Sequence, residues 1–149
     1  MDNRGTTRRA LLAGIAVSLL LVPLPGHSLE KTDLLLGGKP FRVELAVTRS
    51  EQQQGLMHRD RLPAGTGMLF ILDPPRPTRF WNKNVHFPID ILYFDSNRAY
   101  LGADTHVLPC PYSDCPIYRT GQAVKYVLEL PAGTHAQLNL LAGDKFIFR

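Results

Sequence analysis

The 149-residue chain has little of what marks the commonest chemistries. It contains no G-x-S-x-G, H-E-x-x-H, P-loop or dinucleotide fingerprint, so it offers no motif for a serine hydrolase, a zinc protease or a nucleotide binder. It has no block of basic residues interleaved with aromatics, and nucleic-acid binding is therefore unsupported. Tryptophan occurs once and cysteine twice. No internal repeat and no low-complexity segment appear. Only one long apolar run exists, Ala10 to Val22. It falls short of the roughly 20 residues that a membrane-spanning helix needs.

That run belongs to a three-part leader. Arg4, Arg8 and Arg9 precede it, Pro23 and Pro25 break it, and the small residues Gly26 and Ser28 follow. This is the layout of a secretory signal peptide, residues 1–28, with cleavage after Ser28. An uncleaved anchor is the alternative. "TRRALLA" also resembles a twin-arginine export signal, although adjacent arginines are common in ordinary signals. The expected mature unit is a single domain, residues 29–149, periplasmic or extracellular, with no membrane association after cleavage. Losing Arg4, Arg8, Arg9 and Asp2 lowers the net charge from +4 to +2, so the basic character of the full chain lies partly in the leader.

The two cysteines, Cys110 and Cys115, sit together in "PCPYSDCP". In an exported chain an even count favours a disulfide. So short a loop removes little unfolded-state entropy, about 2 kcal/mol, and the bridge is expected to pin a segment with little core of its own. The C-x4-C spacing differs from the C-x2-C of redox pairs. Zinc on His106, Cys110 and Cys115 would need a fourth ligand and reduced thiols.

Along the chain, "FRVELAV" alternates as a half-buried strand, and "LLLGGKP" before it offers a partner strand and a Gly37–Gly38 turn. "TRSEQQQGLM" reads as a short helix, with Thr48 and Glu51 at capping-box spacing and Gly55 as the stop. "MLFIL" reads as a buried strand ended by "DPPRP", since prolines are not expected in a central strand. "TRFWNK" and "IDILYF" are expected to pair around "NVHFP". "RAYLGA" is the next candidate strand, 104–122 a long loop, and "AVKYVLEL" a clear strand. "PAGTHAQLNLLAGD" is expected to hold a second short helix from Thr134, with Gly143 as its stop, and "KFIF" to form a last strand. The sum is a mainly β, single-domain sandwich or partly open barrel of short, mostly antiparallel strands with two short helices.

The series "VELAVTRSEQQQGLMHRDRLPAGTGMLF", "FWNKNVHFPIDILYFD", "PC…CPIY", "VLELPAG" and "AGDKF" resembles the family of domain of unknown function 192, in order over residues 41–147. The resemblance implies a compact, mostly β domain, often exported from bacteria, with no assigned reaction. The matching motif positions are Glu51, Gly55, Leu56, Met57, Arg59, Gly67, Met68, Trp81, Lys83, Asn84, Pro88 and Asp90. This chain has Asn82 where the family usually has Met, and Val85 where it usually has Thr.

Within "RFWNKNVHFPIDILYF", alternation places Asp90 among large apolar groups, where a carboxylate needs a partner. Pairing of the two strands would set Lys83 opposite Asp90. Two readings follow. One is a structural brace, with Asp90 accepting from Lys83 and from turn N–H groups. The other is a pocket in which Lys83 meets an anionic ligand group that Asn84 and Asp90 orient. Arg59 and Glu51 complete the candidate ligand-binding set, Glu51 doubling as the capping-box acid. Met57 and Met68 read as core rather than as soft-metal ligands. The expected function is a ligand-binding or accessory protein of the cell envelope, whose partner is an unknown small molecule or envelope protein. No cofactor, metal or nucleic acid is called for. The alternatives are an envelope enzyme using Asp90 as acid/base with Lys83 as electrostatic stabiliser, and a metal-handling protein.

Overall fold

The computed structural model describes residues 28–149. The expected signal segment up to residue 27 lies outside the described residues. β1 (Lys31–Leu36) and β2 (Lys39–Ala46) form the anticipated hairpin. Gly37 and Gly38 make its turn, both at positive φ.

β2 leads into α1 (Arg49–Gln54), which carries the full capping box. The Thr48 side chain accepts from the Glu51 N–H, and the Glu51 carboxylate accepts from the N–H groups of Thr48, at 2.8 Å, and Val47, at 2.9 Å. Gly55 ends the helix at φ 46°. The Gln52 amide then fastens the helix to the sheet by donating to the carbonyls of Ala46, Val47 and Ile71. The chain returns as β3 (Thr66–Arg76), parallel to β2, from Arg42 opposite Thr66 to Ala46 opposite Phe70.

β3 runs through Pro74 and Pro75 rather than stopping before them. The ladder to its neighbour is interrupted between Ile71 and Arg76, so the missing proline N–H groups forfeit no bond. The expected pairing of "TRFWNK" with "IDILYF" is also corrected. β4 (Arg79–Phe80) pairs with β7 (Tyr118–Arg119) in a small separate sheet. β5 (Ile89–Phe94) instead lies between β6 (Tyr100–Val107) and β8 (Val124–Pro131). With β9 (Ile147–Phe148) on the far edge, the main sheet has the order β6-β5-β8-β3-β2-β1-β9, mixed and curled into a half-barrel.

Both faces of this sheet are covered, which explains why "MLFIL" and "IDILYF" are continuous apolar runs rather than alternating ones. One face packs Leu34, Leu36, Phe41, Val43, Leu69, Leu92, Phe94, Leu128 and Leu130 against Leu138 and Phe146. Phe146 stands edge-on to both Phe94 and Tyr126. The other face packs Met68, Phe70, Leu72, Ile89, Ile91 and Val127 against Leu56 and Val85.

Asp90 shares the first face with Leu92 and Phe94 and is fully buried. β6 carries an irregularity opposite it, where His106 adopts φ 55°. The His106 N–H donates to Asp90 Oδ1 at 2.9 Å. The His135 N–H donates to Asp90 Oδ2 at 2.9 Å. His135 opens a single 3-10 turn, His135–Gln137, where a second α-helix was expected. Thr134 makes no capping bond there, because its hydroxyl donates back to the Pro131 carbonyl. The Asp90 carboxylate takes the capping role instead. Replacing Asp90 with Ala strands two backbone donors and is expected to cost about 2–4 kcal/mol of stability in urea denaturation. Asp90→Asn, which keeps one acceptor, is expected to lose less.

Candidate functional site

The registers of four adjoining strand pairs place Glu44, Met68, Glu129, Ile91 and Asp104 in one row across the second face of the sheet. Three acids therefore lie along a partly apolar line, and their surroundings differ. Glu44 is held by the Arg59 guanidinium in a two-pronged pair, Nη1 to Oε1 at 3.0 Å and Nη2 to Oε2 at 2.6 Å. Those hydrogen bonds hold the Glu44 carboxyl below its usual range and push the guanidinium of Arg59 up. At the far end, the Tyr93 hydroxyl donates to Asp104 Oδ2 at 2.7 Å. Burial, helped by that bond, pushes the Tyr93 hydroxyl well above its ordinary range.

Glu129, in the middle, is 4% exposed. No hydrogen bond from the described residues reaches its carboxyl. Burial pushes it up to about 8, against a smaller opposing pull from Arg59. At neutral pH it is mainly the undissociated acid.

Glu129 lines a groove of about 880 Å³. Gly55, Leu56 and Met57 line it where α1 ends, Phe70 and Leu72 come from β3, and Phe80, Trp81, Lys83 and Val85 form a further wall. Phe70 and Phe80 meet edge-to-face with centroids 5.1 Å apart. Trp81 is 48% exposed, and the Lys83 amine lies 5.7 Å from its ring centroid, within cation–π range. Arg49, Arg76, Arg79 and Lys125 complete the lining cations. Lys125 pairs with Asp73 at 2.9 Å.

The Trp81 wall is held from behind by the cysteine loop. Cys110 and Cys115 form a disulfide, with Cα atoms 5.7 Å apart. The Cys110 N–H donates to the Asn82 carbonyl, and its own carbonyl accepts from the Asn84 N–H, both at 3.0 Å. Asn82 is buried. Its amide donates to the carbonyls of Phe87 and Val107, while its Oδ1 has no partner among the described residues. Asn84 sits at φ 54° and accepts the His58 N–H on its carbonyl, tying this wall to the loop after α1.

A family model described as Uncharacterized ACR, DUF192, matches residues 32–148. The chain belongs to the DUF192 family. Two solved structures are similar to it over most of its length. One, from Sinorhizobium meliloti 1021 and described as a candidate transcription regulator, is 33% identical, covers 83% of this chain and 97% of its own, and superposes with a TM-score of 0.74. The other, a protein of unknown function from Novosphingobium aromaticivorans, is 30% identical, covers 89% and 94%, and has a TM-score of 0.71. No curated protein matches the chain.

In this DUF192 chain the five candidates named from sequence are not one cluster. Lys83 lines the groove. Asp90 does not face it: Lys83 bridges to Cys110 on the grooved side, whereas Asp90 lies in the closed core beneath the opposite face. Glu51 completes the helix cap, Arg59 binds Glu44, and the Asn84 backbone makes a turn. Sequence reasoning passed over Glu129 and Trp81. Glu129 reads as solvent-facing because it alternates with Leu128 and Leu130. The available signal was the unbroken apolar run of β3, which requires cover on both faces.

The raised carboxyl has a consequence for stability. An unfolded Glu releases its proton near 4.5, whereas folded Glu129 keeps it to about 8. The folded state thus binds more protons between those values, and its stability falls as pH rises through that window. Glu129→Gln is expected to gain thermal stability relative to the parent from pH 4.5 to 8, by several degrees, and to gain nothing more above it, as read from unfolding midpoints across pH.

Proposed function

We propose that this chain is an exported ligand-binding protein of the cell envelope, whose groove takes a small molecule with an apolar body and an anionic group. The observation that carries the reading is the groove itself, with apolar walls from Leu56, Phe70, Leu72 and Phe80 and a rim of basic side chains. Among the described residues, Arg49, Arg79 and Lys83 stand in no ion pair. Apolar walls with a few placed polar groups are the usual make-up of a small-molecule site. The leader-like N-terminal sequence and the disulfide support export. Among the described residues no helix is long and apolar enough to cross a membrane.

The enzyme alternative loses its base, because both Asp90 carboxylate oxygens already accept backbone N–H groups in a closed core. The metal alternative loses its two thiols to the disulfide. A nucleic-acid role finds little to use: α1 has six residues, too short to lie along a major groove, and the lining cations surround an apolar cleft.

Trp81 is the only tryptophan in the chain and stands on the rim, so its fluorescence reports on the groove alone. Titration with 1-anilinonaphthalene-8-sulfonate, an apolar anion, is expected to quench Trp81 saturably. Lys83→Ala is expected to weaken that binding about three- to fivefold, as for a partly screened charge, with the thermal unfolding midpoint unchanged. Unaltered affinity in Lys83→Ala, or no saturable quenching, would contradict the reading.

A further inference from the structure

We infer that Glu129 contacts the ligand directly, donating a hydrogen bond from its carboxyl, and that the groove therefore takes a molecule that presents an oxyanion at its floor. This deepens the ligand-binding reading and rests on it.

The geometry isolates Glu129. Its cross-strand neighbours in the row are Met68 and Ile91, and neither side chain is a useful hydrogen-bond partner for a carboxyl. The acids at the two ends of the row are satisfied from within the chain, Glu44 by Arg59 and Asp104 by Tyr93. A polar group buried in the middle of a sheet, opening on a cavity and without an internal partner, is costly unless something else supplies the bond. The groove is where that partner enters.

Two kinds of ligand group could serve, an ammonium binding the carboxylate or an acceptor binding the acid. The surrounding charges decide between them. Arg59 lies on the Glu44 side. Lys125 belongs to the same strand as Glu129 and is already paired with Asp73. Arg49, Arg76, Arg79 and Lys83 lie along the groove. On the β5 and β6 side stand the Tyr93 hydroxyl and the Asp104 carboxylate that accepts from it. Cations thus outnumber acids, Glu44 and Asp73 are each paired with a cation, Asp104 accepts from Tyr93, and an ammonium is repelled from the floor while an oxyanion is drawn in. A hydrogen bond from an un-ionised carboxyl to an oxyanion is short and strong, whereas an ionised Glu129 would repel the same group. Burial keeps the proton on Glu129 up to about 8, so the donor is present at neutral pH. Loss of that proton then releases the ligand, and binding is linked to pH.

The test is Trp81 fluorescence titration of the full chain from pH 6 to 9.5 with two probes of one shape, naphthalene-1-sulfonate and 1-naphthylmethylammonium. The sulfonate stays ionised throughout, so any pH dependence belongs to the protein. Its affinity is expected to be level below pH 7 and to fall by up to about tenfold per pH unit above 8. Glu129→Gln, which keeps a donor at that position without the titration, is expected to bind the sulfonate at pH 7 within about threefold of the parent and to show a flat profile. The ammonium probe is expected to bind more weakly than the sulfonate at pH 7. A fall with pH that persists in Glu129→Gln overturns the role of Glu129 while leaving the groove reading in place. Tighter binding of the ammonium overturns the ligand class. Failure of the sulfonate to quench at any pH overturns both.

Discussion

β8 sits inside the sheet between β5 and β3 with unlike demands on its two faces, and that constraint organises the rest of the molecule. Leu128 and Leu130 face a core closed by Leu138 and Phe146. Glu129, between them in sequence, faces the other way into the groove. Its neighbour β3 approaches so closely that a Cβ on Gly67 would lie 2.6 Å from the Glu129 carbonyl, which only glycine avoids. The position of the acid is therefore fixed by backbone packing rather than by any bond to its side chain. The other two acids in its row are satisfied from within the chain, Glu44 by Arg59 and Asp104 by Tyr93.

This division of labour gives the family signature a physical content. Glu51 and Gly55 start and stop α1, and Gly55 also lies against the Phe70 ring, where an added Cβ would sit 3.3 Å away. Arg59 straps the following loop to β2 through Glu44. Asn84 turns the chain at positive φ, and Asp90 seals an irregular strand on the closed side. Most of the signature thus builds the scaffold around the groove, and Trp81 and Lys83 face into it. The two departures from the pattern fall in the same wall. Asn82 is buried with one oxygen unpartnered, and Val85 joins the apolar packing of the grooved face.

The local features were legible in the sequence because local chemistry determines them. The Gly37–Gly38 hairpin, the capping box of Thr48 and Glu51, the stop at Gly55 and the Cys110–Cys115 bridge each depend on a few neighbouring residues. Long-range pairing was not legible. "TRFWNK" and "IDILYF" look like partners by proximity, yet β5 is claimed by β6 and β8, each of which offers an eight-residue strand to pair with. That single change moves Asp90 away from Lys83 and dissolves the expected site. The second helix is a single 3-10 turn, and the side chain that accepts its first N–H, Asp90, lies 45 residues earlier in the chain. Lys83 lines the groove, but its companion there is an acid that strand alternation alone assigns to the solvent.

The ligand chemistry of the groove depends on Glu129 being a proton-bearing carboxyl among apolar walls and basic side chains. A ¹³C NMR titration of side-chain carboxyls in protein labelled at glutamate, with Glu129→Gln used to assign the resonance, tests this most directly. The account predicts that one glutamate titrates with a midpoint near 8 and that its signal is missing from the variant. Titration of every glutamate in the ordinary carboxylate range would contradict it.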